Sequence, residues 1–323
     1  MKRIGVLTSG GDAPGMNCAI RAVVRTAIYH GLEVMGIERG YAGLIAGDAK
    51  QMDARSVGSI LNRGGTILRT ARSEEFRTPE GRARAAENIK RYLIEGLVVI
   101  GGDGTYRGAM HLAEEQGVPC VGVPGTIDND IGGTDYTIGF DTAVNTALDA
   151  IDKIRDTAAS HDRVFIVEVM GRGVGFIALS VGVAGGAEVV LVPETRSDMV
   201  AVCRQLETGR KAGKMSSIIV VAEGDETGGA VKVEEEIRKS TDFTDVRVCV
   251  LGHLQRGGAP TAYDRIMASR FGSEAVMALM RGEGNVMVAS EKGEIATRPM
   301  SDSWTVKREL RPHLLELAKK LVV

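Results

Sequence analysis

The sequence predicts an α/β protein with mainly parallel β-sheets that are covered by helices on both faces. Short apolar runs are typical of buried strands, and amphipathic segments of helical length separate them. Alternating strands and helices favour parallel sheets, because the connection between two parallel strands must cross back over the sheet. Ligands of such sheets bind beyond the carboxyl ends of the strands. The predicted strands are residues 4–8, 97–100, 121–123, 164–169, 189–192, 218–222, 246–251 and 286–289.

The first strand leads into a glycine-rich loop and then a helix. Residues 9–17 read Ser-Gly-Gly-Asp-Ala-Pro-Gly-Met-Asn, and apolar residues then recur at helical spacing from Ile20 until Gly31 ends the helix. The loop is not a Walker A motif, because no Gly-Lys-Ser/Thr ends it, and it lacks the spacing of a dinucleotide-binding fingerprint. Further helices are predicted at residues 82–93 and 141–158.

A second glycine-rich loop, Gly101-Gly102-Asp103-Gly104-Thr105, follows the apolar strand at residues 97–100. Glycines let backbone N–H groups approach a polyphosphate closely, and the N-terminus of the following helix favours an anion. Asp103 can hold a divalent cation such as Mg²⁺. The pattern predicts a site for a nucleoside triphosphate with magnesium; the alternative is an ordinary strand-to-helix turn in which Asp103 caps the helix.

A third loop, Pro124-Gly125-Thr126-Ile127-Asp128-Asn129-Asp130, follows the short apolar strand at residues 121–123. It offers two carboxylates and a hydroxyl, and phosphoryl transfer to an alcohol needs a carboxylate that accepts the hydroxyl proton. Asp128 is the candidate base. The alternative is a turn rich in Asp and Asn beside two glycines.

Composition and charge exclude several classes of protein. With 323 residues, 25% of them charged, and a formal net charge of −2, the chain can form two domains and has no basic excess for a nucleic-acid partner. The 4 cysteines form no C-x-x-C pair, so neither a zinc site nor disulfides are indicated. No targeting segment is recognised, and no run approaches the ~20 apolar residues of a membrane helix. We expect a cytoplasmic protein without a membrane partner.

Five motifs, in the same order along most of the chain, resemble those of the bacterial ATP-dependent 6-phosphofructokinases. Three are the loops described above, and the other two are Met170-Gly171-Arg172 and Leu251-Gly252-His253-Leu254-Gln255-Arg256-Gly257-Gly258. A lone Gly-Gly-Asp-Gly-Thr also occurs in NAD kinases and lipid kinases, so the specificity lies in the combination. The resemblance implies that the chain uses ATP and Mg²⁺ to phosphorylate fructose 6-phosphate to fructose 1,6-bisphosphate, the committed step of glycolysis.

The resemblance also implies a domain organisation, with two Rossmann-like three-layer domains and the active site in the cleft between them. An ATP-binding domain would contain residues 1–138 and 257–304, and a sugar-phosphate-binding domain residues 139–256 and 305–323. These boundaries come from the family, because no low-complexity linker marks them. The implied assembly is a homotetramer, in which Arg163 and Arg247 reach into the sugar site of a neighbouring subunit.

The residues implied on the ATP side match the chemistry that the loops predict. In the family, the two glycine loops approach the phosphates, Asp103 holds magnesium, and Arg72 neutralises the transferring phosphoryl group. The implied ATP-binding set is Gly11, Arg72, Ser73, Gly102, Asp103, Gly104 and Thr105. The implied catalytic set is Asp128, Arg72, Thr126, Asp130 and Arg172. An alternative for Arg72 is a solvated charged surface, because it lies in a basic stretch with Arg69, Arg77, Arg82 and Arg84.

A sugar phosphate is best held by guanidinium groups, while a carboxylate can bind the sugar hydroxyls. The resemblance implies a substrate-binding set of Thr126, Ile127, Asp128, Arg163, Met170, Gly171, Arg172, Glu223, Arg247, His253, Leu254, Gln255 and Arg256. For His253 alone, the residue type favours a histidine whose hydrogen bonds are satisfied at a strand end.

Two glycines indicate the phosphoryl donor. Pyrophosphate-dependent relatives carry an aspartate in place of Gly104 and a lysine in place of Gly125, and this chain keeps both glycines. The sequence therefore predicts ATP. A pyrophosphate-dependent enzyme, a kinase for a related sugar phosphate such as tagatose 6-phosphate, and a non-catalytic nucleotide sensor remain as alternatives. The sensor is disfavoured, because it would need neither Asp128 nor the arginines Arg172 and Arg256.

An effector site is implied by matches to the pocket that binds ADP or phosphoenolpyruvate in bacterial relatives. The matching residues are Arg21, Arg25, Arg155, Glu188 and Lys214. Ala54, Ala212, Met215 and Ser216 stand where relatives commonly have basic or polar residues. Each lost charge-assisted contact would weaken phosphate binding by ~1.5 to 3 kcal/mol, so we expect a weak or altered response. For Arg21 and Arg25, the alternative is a solvated helix face.

Overall fold

The computed structural model describes residues 1–158, 160 and 163–321. By their internal contacts, these residues divide into two compact units. The first unit contains Met1–Ile127, Ile131–Thr142 and Arg256–Arg308, and the second contains Asp128–Asp130, Ala143–Gln255 and the C-terminal segment from Glu309. Residues 139–142, 256 and 305–308, which were predicted in the sugar-phosphate-binding domain, are grouped with the first unit. Residues 128–130, which were predicted in the ATP-binding domain, are grouped with the second unit.

The strands and helices alternate along the chain as expected of an α/β protein. The strands are β1 (Arg3–Thr8), β2 (Glu33–Ile37), β3 (Ala49–Met52), β4 (Leu97–Gly101), β5 (Cys120–Pro124), β6 (Arg163–Val169), β7 (Val189–Leu191), β8 (Ser216–Ala222), β9 (Val246–Val250), β10 (Val286–Glu291) and β11 (Glu294–Pro299). The α-helices are α1 (Met16–Tyr29), α2 (Gly40–Ala46), α3 (Pro79–Arg91), α4 (Asp103–Gln116), α5 (Phe140–Ala158), α6 (Phe176–Ala184), α7 (Met199–Lys211), α8 (Ala230–Ser240), α9 (Ala262–Met280), α10 (Asp302–Thr305) and α11 (Pro312–Lys320). Short 3₁₀ helices span Glu75–Arg77 and Gly252–Arg256.

The first unit is built on a seven-stranded sheet with the strand order β11-β10-β5-β4-β1-β2-β3. Its inner pairs are parallel, and only the edge strands β3 and β11 pair in the antiparallel sense. All five residues of β4 and of β5 are buried, as expected of central strands that are covered on both faces. The carboxyl ends of the adjacent strands β1, β4 and β5 carry the three predicted loops, which therefore start from one edge of the sheet.

The second unit is built on a four-stranded sheet with the order β7-β8-β6-β9, and all of its pairs are parallel. Apolar residues of β6 and β8 pack with α7 and α8 in a separate core, which includes Ile166, Ile219, Leu206 and Val233. The prediction of a mixed α/β fold with mainly parallel sheets is confirmed. Among the described residues, no helix is long and apolar enough to cross a membrane.

Every strand predicted from an apolar run is present, and three further strands were missed. β2 has a glycine at its fourth position, while β3 (Ala-Lys-Gln-Met) and β11 (Glu-Ile-Ala-Thr-Arg-Pro) are polar edge strands. Edge strands face solvent and need no continuous apolar run, so their sequences lack the signal used for prediction. The predicted helices at residues 82–93 and 141–158 are present as α3 and α5.

Candidate active site

The second glycine loop joins the end of β4 directly to the N-terminus of α4. Gly101 is the last residue of β4, Gly102 is the N-cap of the helix, and Asp103 is its first residue. A Cβ at Gly101 would lie 2.4 Å from both the Ser9 carbonyl oxygen and Thr105 Oγ1, so only glycine fits there. Thr105 Oγ1 donates a hydrogen bond to the Ser9 carbonyl at 3.1 Å. The first and second glycine loops are thus packed against each other within the first unit.

The next two glycines of this loop leave open space instead. A Cβ at Gly102 or Gly104 would meet no protein atom within 4 Å, and Gly104 is exposed. Backbone N–H groups at the N-terminus of α4 therefore lie at an accessible surface, where the helix dipole favours an anion. Asp103 is half-buried between these glycines. The geometry fits a phosphate group close to the backbone.

The donor set also fits magnesium brought by a nucleotide. Among the residues that the structure describes, no group of three or more His, Cys, Asp or Glu side chains could hold a metal ion. Mg²⁺ is usually bound by one or two carboxylates together with substrate phosphates and water, so a single carboxylate beside a phosphate site is an appropriate partner. Asp103 is the residue that would supply it.

Gly11, in the first glycine loop, lies against the guanidinium group of Arg256. A Cβ at Gly11 would lie 2.7 Å from Arg256 Nη1, which donates a hydrogen bond to the Asp12 carbonyl at 3.0 Å. The family resemblance implies that Arg256 binds the sugar phosphate. Its contact in the first unit is with the loop that was predicted to approach ATP.

Arg72 and Ser73 lie on a segment that hydrogen bonds tie to the end of β1 and to the first glycine loop. Thr8 Oγ1 donates to the Arg69 carbonyl at 2.7 Å, and Thr70 Oγ1 donates to the Gly10 carbonyl at 2.7 Å. Arg72 itself is exposed, and Ser73 Oγ accepts a hydrogen bond from the Phe76 N–H at 3.2 Å. The segment therefore presents a solvent-accessible guanidinium from an anchored backbone.

Arg82 is an exception to the alternative that the basic stretch is a solvated charged surface. It is only 6% exposed, whereas Arg69, Arg72, Arg77 and Arg84 are exposed. Its Nε and Nη2 pair with both carboxylate oxygens of Glu115, at 2.7 and 2.6 Å, and Nη1 donates to the carbonyls of residues 76 and 77. Arg82 lowers the pKa of the Glu115 carboxyl by hydrogen bonding.

Two residues that support this site were missed by the sequence analysis. Tyr41, from α2, donates its hydroxyl hydrogen bond to the Thr105 carbonyl at 2.5 Å, and its ring stacks on Phe76 at 3.9 Å. Burial raises the pKa of Tyr41 well above its usual value. Asn17 is 1% exposed; its Nδ2 donates to the carbonyls of Arg63 and Gly64, and its Oδ1 accepts from the N–H of residue 67. Only Asn17 had a sequence signal, as the last residue of the first loop.

The third loop carries the candidate base. Asp128 and Asn129 are 5% and 4% exposed, and Asp130 is half-buried. Asn129 has a φ of 55°, so the loop does contain the tight turn that was considered as the alternative. Thr126 accepts a hydrogen bond at its carbonyl from Thr137 Oγ1 at 2.7 Å, and Ile127 is fully buried. A buried carboxylate on an anchored turn is suited to proton abstraction at one position.

In the second unit, the loop after β6 holds several predicted sugar-phosphate residues together. The Met170 N–H donates to Gln255 Oε1 at 2.8 Å, and Gln255 is fully buried. The Arg172 N–H donates to Glu223 Oε1 at 2.6 Å, and both of these side chains are exposed. A Cβ at Gly171 would lie 2.5 Å from the Val174 carbonyl oxygen, which explains a glycine at this tight turn.

Two further predicted arginines, Arg163 on β6 and Arg247 on the adjacent strand β9, share one carboxylate. It belongs to Asp245, which directly precedes β9. Arg163 Nε donates to Asp245 Oδ2 at 2.6 Å, and Arg247 Nε lies 2.7 Å from Asp245 Oδ1. The hydrogen bond from Arg163 lowers the pKa of Asp245. His253 and Leu254 are exposed on the 3₁₀ helix, Leu254 by 71%. The geometry therefore does not place His253 in a buried, satisfied position.

The predicted effector residues are brought together in part. Lys214 Nζ lies 2.8 Å from Glu188 Oε1, and Glu188, which is 7% exposed, also accepts from the Ile218 N–H. Arg155 Nη2 donates to the carbonyls of residues 185 and 186. Arg21 and Arg25 lie on α1 of the first unit, half-buried and exposed respectively.

Comparison with known proteins identifies the family of this chain. A family model described as phosphofructokinase matches residues 3–279. The chain is 59% identical over 323 residues to ATP-dependent 6-phosphofructokinase 1 of Thermus thermophilus, and 55% identical over 323 residues to the ATP-dependent 6-phosphofructokinase of Bacillus cytotoxicus, with full coverage of both chains in each case.

Solved structures show the same fold. Phosphofructokinase from Saccharomyces cerevisiae matches with a TM-score of 0.89 and 35% identity, over 100% of this chain and 48% of the yeast chain. A pyrophosphate-dependent phosphofructokinase from Marinobacter aquaeolei matches with a TM-score of 0.84 and 22% identity, over 100% of this chain and 92% of the other, and shares the fold. From the family model and the full-length similarity, this chain belongs to the phosphofructokinase family.

Proposed function

We propose that this chain is an ATP-dependent 6-phosphofructokinase, which transfers the γ-phosphoryl group of ATP to the 1-hydroxyl of fructose 6-phosphate in glycolysis. The observation that carries this proposal is the N-terminus of α4, where Asp103 lies between two glycines whose Cβ positions are open. The bacterial relatives with 59% and 55% identity over the full length, which are named ATP-dependent 6-phosphofructokinases, support the same function.

On the donor side, the phosphates of ATP bind to backbone N–H groups of Gly11 and of residues 102–105. Asp103 is the residue that would hold Mg²⁺, and the bound cation would neutralise charge on the phosphate groups. Arg72 approaches the transferring phosphoryl group from an anchored segment, and its guanidinium is exposed and can reach a ligand. Ser73 lies beside it on the same segment.

On the acceptor side, Asp128 accepts the proton of the 1-hydroxyl, and Thr126 and Asp130 line the same turn. Arg172 stabilises charge on the moving phosphoryl group, while Glu223 holds its backbone N–H at 2.6 Å and can bind sugar hydroxyls. The remaining substrate residues are Ile127, Met170, Gly171, His253, Leu254, Gln255 and Arg256, with Arg163 and Arg247 supplied by a neighbouring subunit.

The choice of ATP over pyrophosphate rests on the space around two glycines. Gly104 has open space in which the nucleotide can lie. A Cβ at Gly125 would lie 3.0 Å from Met16 Cε and 3.1 Å from Ile100 Cγ2, so a lysine there would require its neighbours to move. Both features favour a chain that keeps glycine and uses ATP.

The proposal extends to assembly, compartment and regulation. We propose a cytoplasmic homotetramer, because Arg163 and Arg247 act across subunits in the family. The effector pocket would respond weakly to ADP or phosphoenolpyruvate. Glu188 and Lys214 already form an ion pair at 2.8 Å, so a phosphate ligand would have to compete with this carboxylate for the lysine. A titration that shows strong inhibition at micromolar phosphoenolpyruvate would refute the weak response.

One assay tests the proposed reaction. The purified chain is incubated with MgATP or with magnesium pyrophosphate, and with fructose 6-phosphate or tagatose 6-phosphate, in all four combinations, and bisphosphate formation is followed by a coupled assay. We expect the highest kcat/KM with ATP and fructose 6-phosphate. Faster turnover with pyrophosphate would show that the proposed donor is wrong, and faster turnover with tagatose 6-phosphate would show that the proposed acceptor is wrong. No turnover in any combination would contradict the proposed kinase activity.

A further inference from the structure

Asp264, in the first turn of α9, is a fully buried carboxylate that the proposed chemistry does not use. Its Oδ1 accepts hydrogen bonds from the Tyr136 hydroxyl and the Gly139 N–H, both at 2.7 Å. Its Oδ2 accepts from the Thr142 N–H at 2.8 Å and from Thr142 Oγ1 at 2.5 Å. Both oxygens are therefore satisfied by one short segment of the chain, residues 136–142.

Such an arrangement fixes the backbone of this segment. A buried carboxylate is costly unless it is hydrogen-bonded, and two of its four donors here are backbone N–H groups. Thr261, the N-cap of α9, adds two more bonds to the same segment: its N–H donates to Thr142 Oγ1 at 3.0 Å, and its hydroxyl donates to Asp141 Oδ2 at 2.6 Å. The start of α9 thus holds residues 136–142 from several sides.

The fixed segment in turn contacts the loop that leads to the candidate base. The Ile138 N–H donates to the Pro124 carbonyl at 2.8 Å, and Thr137 Oγ1 donates to the Thr126 carbonyl at 2.7 Å. A Cβ at Gly139 would lie 3.1 Å from Ile127 Cγ2. Residue 127 immediately precedes Asp128 in the chain, so the contacts continue to within one peptide bond of the base.

The same segment also contacts the first glycine loop. A Cβ at Gly139 would lie 2.7 Å from Ala13 Cβ, and a Cβ at Gly15 would lie 2.6 Å from Ile138 Cγ2. Both glycines have positive φ, 101° and 103°, a conformation that other residues rarely adopt. A shift of residues 136–142 would therefore displace parts of the first glycine loop and of the loop that carries Asp128.

We propose that Asp264 is a positioning residue for phosphoryl transfer: by clamping residues 136–142, it holds the loop that carries Asp128 in its reactive place. This inference rests on the proposed function. Phosphoryl transfer depends on the alignment of donor, acceptor and base, and a displacement of about 1 Å can cost about 10²-fold in rate. Asp264 touches neither proposed substrate, and the segment that it clamps contacts the first glycine loop at Ala13 and Gly15 rather than at Gly11, the residue assigned to ATP. Loss of the clamp should therefore lower kcat more than it raises the KM for ATP.

The test measures kcat and both KM values for Asp264→Asn at a temperature well below its melting transition. The amide group cannot accept all four hydrogen bonds, because its NH₂ would face donors. We expect kcat to fall by about 10-fold to 100-fold, while the KM for ATP changes by less than about threefold. Circular dichroism and thermal melting report whether the variant is folded.

A matched pair keeps the proposal testable if Asp264→Asn fails to fold. Thr142→Val removes the hydroxyl that donates to Asp264 but keeps the shape of the side chain, whereas Thr142→Ser keeps the hydroxyl. We expect kcat to fall in Thr142→Val and to be restored in Thr142→Ser. Asp53→Asn is the control, since Asp53 also accepts hydrogen bonds in a turn, from residues 55 and 56, but is exposed and outside the site.

The outcomes are distinguishable from failure of the proposed function. If the parent chain has no fructose 6-phosphate kinase activity, the proposed function is wrong. If the parent is active and a folded Asp264→Asn or Thr142→Val retains kcat within about twofold, the positioning role is wrong and Asp264 contributes only to stability. A loss of kcat that Thr142→Ser does not restore would likewise overturn it.

Discussion

We expect replacement of Gly104 with aspartate to lower activity with ATP without lowering the stability of the fold. Gly104 is exposed in the first turn of α4, its φ is not positive, and a Cβ there would meet no protein atom within 4 Å. A carboxylate in the first turn of a helix is stabilised by the helix dipole by about 0.3–1 kcal/mol. We therefore expect the melting temperature of Gly104→Asp to equal or exceed that of the parent.

The same substitution should strongly lower kcat/KM for ATP, although it leaves the fold as stable as before. The new carboxylate would occupy the open space that we assign to the nucleotide phosphates. Two like charges about 4 Å apart repel by about 4 kcal/mol at an effective dielectric constant of about 20. This free energy corresponds to about a 10³-fold loss of affinity for the transition state. Because magnesium would screen part of the repulsion, we expect kcat/KM for ATP to fall by about 10²-fold to 10³-fold.

The measurement is the steady-state rate with ATP and with pyrophosphate, for the parent, Gly104→Asp and the control Gly104→Ala. The alanine variant adds a methyl group without a charge, so it should lose at least about tenfold less activity than the aspartate variant. A stable Gly104→Asp protein with the parental kcat/KM for ATP would show that the phosphates do not bind at the N-terminus of α4. The nucleotide site would then have to lie elsewhere.

Three further substitutions test other parts of the site. Asp128→Ser should lower kcat by about two to four orders of magnitude with a nearly unchanged KM for fructose 6-phosphate; a nearly normal kcat would mean that another group accepts the proton. Asn17→Ala leaves buried donors and acceptors without partners and should lower the free energy of unfolding by about 2–3 kcal/mol in urea denaturation, whereas no change would contradict its anchoring role. Arg82→Met should destabilise by about 2–3 kcal/mol, because it leaves Glu115 and two carbonyls without their cation; since Arg82 lowers the pKa of Glu115 from 4.5, the parental advantage over Arg82→Met should shrink as the pH falls below that value.

Much of the fold could be predicted because its central strands are short, continuous apolar runs. β4 and β5 are buried on both faces, so every position selects an apolar or small residue and the strand is visible in the sequence. The edge strand β11 has one partner and an exposed face, which permits Glu and Arg within it. The same physical difference explains why the edge strand β3 was missed. The strand β2 is an inner strand, and its apolar run is interrupted by Gly36.

Candidate site residues could be predicted where neighbouring residues in the sequence mark them. They could not be predicted where their role depends on contacts between segments that are distant in the sequence. Asp103 can be recognised in the sequence because glycines flank it, and a side chain at those positions would keep the backbone away from a ligand. Tyr41 contacts Thr105 across 64 residues, and Asp264 contacts Thr142 across 122 residues. No neighbouring residues mark such a contact, because the partner is defined only once the sheet brings the two segments together.

The site contains two groups of side chains: those that we propose to take part in the reaction, and buried ones that hold the neighbouring loops. Arg72 is exposed and Asp103 is half-buried, which leaves both accessible to a ligand, whereas Tyr41, Asn17 and Arg82 are buried and bind backbone carbonyls of the neighbouring loops. Each buried group satisfies polar atoms that would otherwise lack partners, so its removal costs stability. The exposed Arg72 side chain buries little surface on folding, so its removal should lower the rate without lowering the melting temperature. Measurements of melting temperature and kcat on the same variants would therefore distinguish the two groups of residues. An Arg72 variant with both a lower kcat and a lower melting temperature would contradict the division.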